Sequence, residues 1–267
     1  MRPGTWKGCG KDFPTEVHWT GASGDAPLPR RVILPLSRRH RQAEALALHH
    51  LDPLHRHYLG PRGQPFDFSQ HMHRLCTDIV ARCRVFQHID PTRLLIAVGC
   101  NRSPEDHGIQ AKIAGMRHRG GRLARVHHRR TYVVQRYYVG GVEILYLVIF
   151  YLPRFQDQSF DQKMITVFHE LYHISPDFDG DLRRCSVSQR VHLGGKRGYD
   201  ERMAKLAREY LASDPDPTLF SFLRLNFAQL HQWHGQVFGY AVPLPRVIPV
   251  RANAVPPSSS ASRHQTS

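Results

Sequence analysis

Residues 142–152 read VEILYLVIFYL, and no other stretch constrains the fold as strongly. β-Branched and aromatic residues dominate it, and its one charge, Glu143, lies near the start. From Ile144 to Leu152 it is continuously apolar, the pattern of a strand buried on both faces rather than one. It is also too short to cross a bilayer, which takes about 20 apolar residues. The preceding segment, Thr131–Val139 (TYVVQRYYV), has the same composition. Gly140-Gly141 between the two can adopt the positive φ angles of a tight turn, so a β-hairpin is expected here.

A helix signal follows directly. Ser159-Phe-Asp-Gln162 fits a capping box. Met164, Ile165, Phe168, Leu171 and Tyr172 then recur as one apolar stripe, and Pro176 marks the end. This helix carries HELYH, a match to H-E-x-x-H formed by His169, Glu170 and His173. Residues four apart share a helix face, so two imidazoles can reach one metal ion. Glu170 is rotated by about 100°, off the metal but beside a water held there, where it can serve as general base. The chain has 19 histidines, so coincidence must be weighed. Its own His and Glu frequencies give roughly 0.03 chance matches, and the capped amphipathic context lowers that further. A peptidase of this kind also needs a strand on which an extended peptide can pair, and the apolar strand before the helix is the expected one.

A catalytic zinc site has three protein ligands and an open position. The third ligand must come from outside the helix. His192, in the glycine-flanked RVHLGG, is the first candidate, and Glu201 on the next expected helix is its rival. Asp177, Asp179 and Asp181 lie nearby; Asp179 or Asp200 could orient an imidazole by accepting its N–H.

The block FHELYHISPDFDGDLRR, with the strand end YLPRF, a later His and Tyr199-Asp200, resembles a metallopeptidase family of bacteria and phages. The resemblance extends over about 67–250, and the chain departs from the family pattern at Cys185. It implies a zincin-like α+β fold, broadly similar to SprT-like zinc peptidases: a small mixed or antiparallel sheet packed on the H-E-x-x-H helix, with further C-terminal helices. It also implies Zn2+ as cofactor, His169, His173 and His192 as its ligands, Glu170 as the catalytic base, and a peptide or protein substrate.

The rest of the chain fits an α+β order independently. Phe68, Met72, Leu75, Ile79 and Cys83 give an amphipathic helix over 68–84, and Arg93–Gly99 a short strand. Helices are also expected at about 200–212 and from about Leu219 to Phe238. Three regions result: a flexible basic arm (1–65), the metallopeptidase domain (66–250), and a disordered serine-rich tail (251–267).

The five cysteines form no C-x-x-C pair, and no apolar leader opens the chain; a soluble cytoplasmic protein is expected, with no membrane partner. The net charge of +15 calls for an anionic partner, nucleic acid before membrane. Arg117–Arg136 lies in a stretch, 107–142, without a single acidic residue, and is the candidate nucleic-acid contact. An alternative function follows, a nucleic-acid-binding protein whose metal site is structural or vestigial, with Cys185 as the ligand that would close it. Oligomeric state is not legible.

Overall fold

The computed structural model describes residues 14–19, 29–36, 56–100, 108–184 and 195–251. Their architecture is mixed α+β: four helices and four three-stranded sheets. The strands are β1 (Glu16–Trp19), β2 (Arg30–Ile33), β3 (Phe66–Asp67), β4 (Leu94–Cys100), β5 (Ala111–Gly115), β6 (Ala124–His127), β7 (Arg130–Val134), β8 (Arg136–Val139), β9 (Val142–Ile144), β10 (Tyr146–Leu152), β11 (Val237–Ala241) and β12 (Val247–Val250). The helices are α1 (Phe68–Arg82), α2 (Phe160–Tyr172), α3 (Gly195–Ala212) and α4 (Phe227–His234). Among the described residues no helix is long and apolar enough to cross a membrane.

The central sheet has the order β4-β10-β5, with β10 parallel to β4 and antiparallel to β5. Both faces of β10 are buried. Tyr146, Val148, Phe150 and Leu152 join the core beneath α1 and α2, while Leu147 and Ile149 pack with Trp19, Tyr137, Ile144 and Val242. Continuous hydrophobicity is therefore required of this strand. Both of its edges are also paired, which overturns the expectation that the strand before the helix receives a peptide. The sheet's two edge strands are β4 and β5; among the described residues each pairs with β10 alone, and β5 packs against α2.

The expected hairpin is present in a shorter form. Gly140 and Gly141 (φ 56° and 81°) link β8 to β9, with Val139 opposite Val142. The flanking segments, read as one strand each, are split in two. Gln135 separates β7 from β8: its N–H donates to Arg246 O (2.8 Å) and its side chain to Pro14 O (2.9 Å). At this point the chain leaves the β12-β7-β6 sheet for the β1-β8-β9 sheet. Leu145 likewise separates β9 from β10, donating to Arg93 O and accepting from Met116.

Residues 1–65, expected as a flexible arm, contribute two strands to the fold. β1 runs parallel to β8 and buries Trp19; β2 runs antiparallel to β11. The helix expected from Leu219 to Phe238 is interrupted. Two 3-10 turns, Pro217–Leu219 and Ser221–Arg224, lead to α4, which has its own capping box (Asn226 with Gln229). Gly235, at φ 72°, ends α4 and lets the chain enter β11. The tail expected over 251–267 lies outside the described residues except for Arg251.

α2 begins at the expected capping box: Ser159 Oγ accepts the Gln162 N–H (3.3 Å), and Gln162 Oε1 accepts the Ser159 N–H (3.2 Å). Met164, Val167, Phe168 and Leu171 form its buried face. The same helix buries Lys163, 1 % exposed, whose ammonium donates to Leu223 O (2.9 Å) and Leu225 O (2.6 Å). This ties α2 to the 3-10 turn before α4. Burial pushes the Lys163 pKa down to about 7, while Asp157 pulls it upward. Between about pH 7 and pH 10.4 the unfolded chain holds this proton and the native chain does not, so stability rises with pH across that window. Lys163→Met should abolish that rise. The variant should lose about 1–3 kcal/mol at pH 10, where the neutral amine still donates, and less at pH 6. Denaturant midpoints of both proteins across this range test it; parallel curves would refute the assignment.

Candidate metal centre

The last turn of α2 presents the H-E-x-x-H residues. His169 is helical, and His173 is the C-cap, still in αR conformation (φ −71°, ψ −12°). The two rings lie on one side, with centroids 4.6 Å apart and planes inclined at 72°. Burial, then the neighbouring His169 and Arg183, pushes the His173 pKa down to about 4. Its imidazole is therefore neutral at pH 7, the form a metal requires.

Glu170 points elsewhere on the helix, as the rotation of about 100° per residue demands. It is 8 % exposed, and its carboxylate accepts a hydrogen bond from the Ile113 backbone in β5. Burial pushes its pKa up to about 7, against the pull of that hydrogen bond. The ladder explains why Ile113 has an N–H to offer. Tyr151 donates to Gln110 O and Met116 to Leu145 O, so the even-numbered residues of β5 bond inward to β10. The backbone groups of Ala111, Ile113 and Gly115 point away from β10, to the outer edge.

The helix end is held from beyond. Arg183 donates from its backbone N–H to His173 O (2.6 Å) and from Nε to Tyr172 O (2.7 Å), and its guanidinium lies 4.2 Å above the Tyr172 ring. A cation on these last carbonyls complements the helix dipole and fixes the turn that carries His173. Tyr199, from α3, closes the other side. Its ring is 4.6 Å from His169, edge-on, and 6.2 Å from His173, nearly parallel.

The aspartate-rich loop is built into the scaffold. Asp179 Oδ1 accepts the Asp181 N–H (3.0 Å), and Asp181 Oδ2 accepts the Gly120 N–H (2.9 Å). Tyr146 donates to Asp181 O and accepts from Gly180 N–H, which pins the loop to the central strand. Gly115 allows this approach, since a Cβ there would lie 2.4 Å from Gly180 O.

A family model described as "Putative phage metallopeptidase" matches residues 69–207, just over half of the chain. The chain belongs to this phage metallopeptidase family. No curated protein and no solved structure matches it. The match runs from α1 through the central sheet and α2 into α3, and is narrower than the resemblance over about 67–250. β1, β2, β11 and β12 lie outside it.

The family description implies a metal, and the donor set fits one: two imidazoles on one side of the helix end, at least one held neutral, beside a buried carboxyl. Among the described residues no three His, Cys, Asp or Glu side chains gather as a metal site. His192 and Cys185 lie outside the described residues. Glu201 is on α3 and exposed; two positions from Tyr199, it is about 200° round the helix from the ring that covers the histidines. Sequence reasoning did not assign roles to Tyr199, Arg183, Ile113 or Tyr146. Arg183 and Tyr199 stood inside the motifs that carried the family resemblance, whereas nothing local marks Ile113 as the partner of Glu170.

Proposed function

We propose that this chain is a zinc-dependent metallopeptidase with a zincin-like core, acting on peptide or protein in the cytoplasm. His169, His173 and His192 would hold the zinc, and Glu170 would act as general base. The observation that carries this reading is the position of Glu170: buried in the helix turn that carries the two histidines, and bonded to the outer edge of β5.

An extended peptide can add to that edge as a further strand, using the outward backbone groups of Ala111 and the carbonyl of Ile113, whose N–H is held by Glu170. Loop 178–182 limits the strand's far end, because Gly180 O accepts from Arg117 N–H and lies against Gly115. When bound, zinc polarises the scissile carbonyl and lowers the pKa of water to about 7. Glu170 takes the proton from the attacking water and returns it to the departing amine. Its apolar surroundings favour proton uptake, and the Ile113 N–H holds the carboxylate in place for the transfer.

The deciding experiment is elemental analysis of untagged, full-length protein beside its His192→Ala variant, with hydrolysis of an unfolded protein substrate measured in parallel. One zinc per chain, lost together with hydrolysis in the variant, is the expected result. Zinc retained in the variant would move the third ligand, with Glu201 next to be tested. Zinc retained without hydrolysis in either protein would favour the closed structural site completed by Cys185. Absence of metal after reconstitution would end the peptidase reading.

A further inference from the structure

The basic segment 117–136 divides into two groups in the fold. Arg117 pairs with Glu143, and Arg136 with Glu16 and Glu143, as part of the scaffold. Arg119, Arg122, Arg125, Arg129 and Arg130 are exposed, and none forms an ion pair among the described residues. Four of them lie on or beside the β6–β7 hairpin. In the β12-β7-β6 sheet, Val133 and Ile248 face inward. Arg125, Tyr132 and Pro249 stand side by side on the opposite face, with His127 and Arg130 one pair further out. That outer face is thus a half-buried tyrosine ring among arginines and histidines.

The turn at its tip carries a second signal. His127 pairs with Arg130, so the loop is the two residues His128-Arg129, with φ 46° and 59°. Two-residue hairpin turns with positive φ at both positions favour Asn-Gly or Gly-Gly, because a side chain there is strained. The β8–β9 hairpin of the same chain meets this demand with Gly140-Gly141. The β6–β7 hairpin instead keeps two basic side chains where glycine would cost least.

We infer that the outer face and tip of the β6–β7 hairpin form a binding surface for single-stranded nucleic acid, a site independent of the proposed peptidase chemistry. Arginine guanidiniums contact the phosphates, and Tyr132 offers a ring on which a base can stack. A stacking platform within a charged sheet face matches a nucleic-acid strand better than a lipid surface, which supplies charge without bases. The hairpin is linked through the scaffold to the helix end that carries the histidines. Gly120, at the foot of the hairpin, donates to Asp181 in the loop that Arg183 connects to the end of α2.

The test uses full-length protein and a fluorescein-labelled DNA strand of mixed sequence, about 16 nucleotides long, in anisotropy titrations. Arg125→Gln/Arg129→Gly/Arg130→Gln should bind at least tenfold more weakly at about 0.15 M salt. The slope of log K against log salt should become shallower by about 2, at about 0.7 per lost phosphate contact. Arg129→Gly alone should raise Tm by about 2–4 °C, since it relieves the turn, while weakening binding; this separates lost contacts from lost folding. Equal binding by parent and triple variant, or no binding by the parent, would overturn the inference. So would a variant that loses only its binding to vesicles of anionic phospholipid.

Discussion

Glu170→Gln is expected to keep its metal and lose hydrolysis by about 10²–10⁴-fold, the usual contribution of a positioned general base. Gln is close to isosteric with Glu and can still accept the Ile113 N–H, so the edge of β5 and the end of α2 should keep their geometry. What it cannot do is take up a proton. Metal content, Tm and turnover measured on one preparation separate these effects. Unchanged turnover with metal bound would remove Glu170 from the chemistry. Lost metal would mean that this buried side chain holds the histidines in place rather than acting on water.

Phe168→Ala should destabilise the fold by about 3–5 kcal/mol, the range for deleting a buried aromatic ring. Phe168 is fully buried between Phe86 (centroids 5.6 Å apart) and Tyr210 (6.0 Å), and it immediately precedes His169. Its packing sets the rotation of α2, and with it the direction of both histidines. Phe168→Leu refills much of the space and should cost less. Denaturant midpoints for the two variants check the ordering. Metal affinity should fall further in Phe168→Ala than in Phe168→Leu, because a loosened helix end no longer holds two imidazoles at one point.

The local features were legible because each is governed by neighbours in the chain. The capping box at Ser159, the spacing of His169 and His173, the helix over 68–82 and the glycine turn at 140–141 all rest on contacts within a few residues. The apolar run 144–152 likewise announced burial on both faces. It could not announce its neighbours. Hydrophobicity is the same for a central strand with either edge order, so only the tertiary pairing shows that β10 is enclosed and that β4 and β5 hold the edges.

The breaks at Gln135 and Leu145 were hidden for a similar reason. Both residues sit within strand-forming composition, and the chain changes partners there: Gln135 N–H still bonds Arg246 beside β12, and Leu145 N–H already bonds Arg93 beside β4. The strands at 16–19 and 30–33 lie in a segment of weak local preference and form by pairing with β8 and β11. By itself the sequence determined the helix, its two histidines and the glutamate between them. The tertiary structure decided what Glu170 faces, because the Ile113 N–H reaches it from a strand 57 positions earlier, across a contact that no local periodicity encodes.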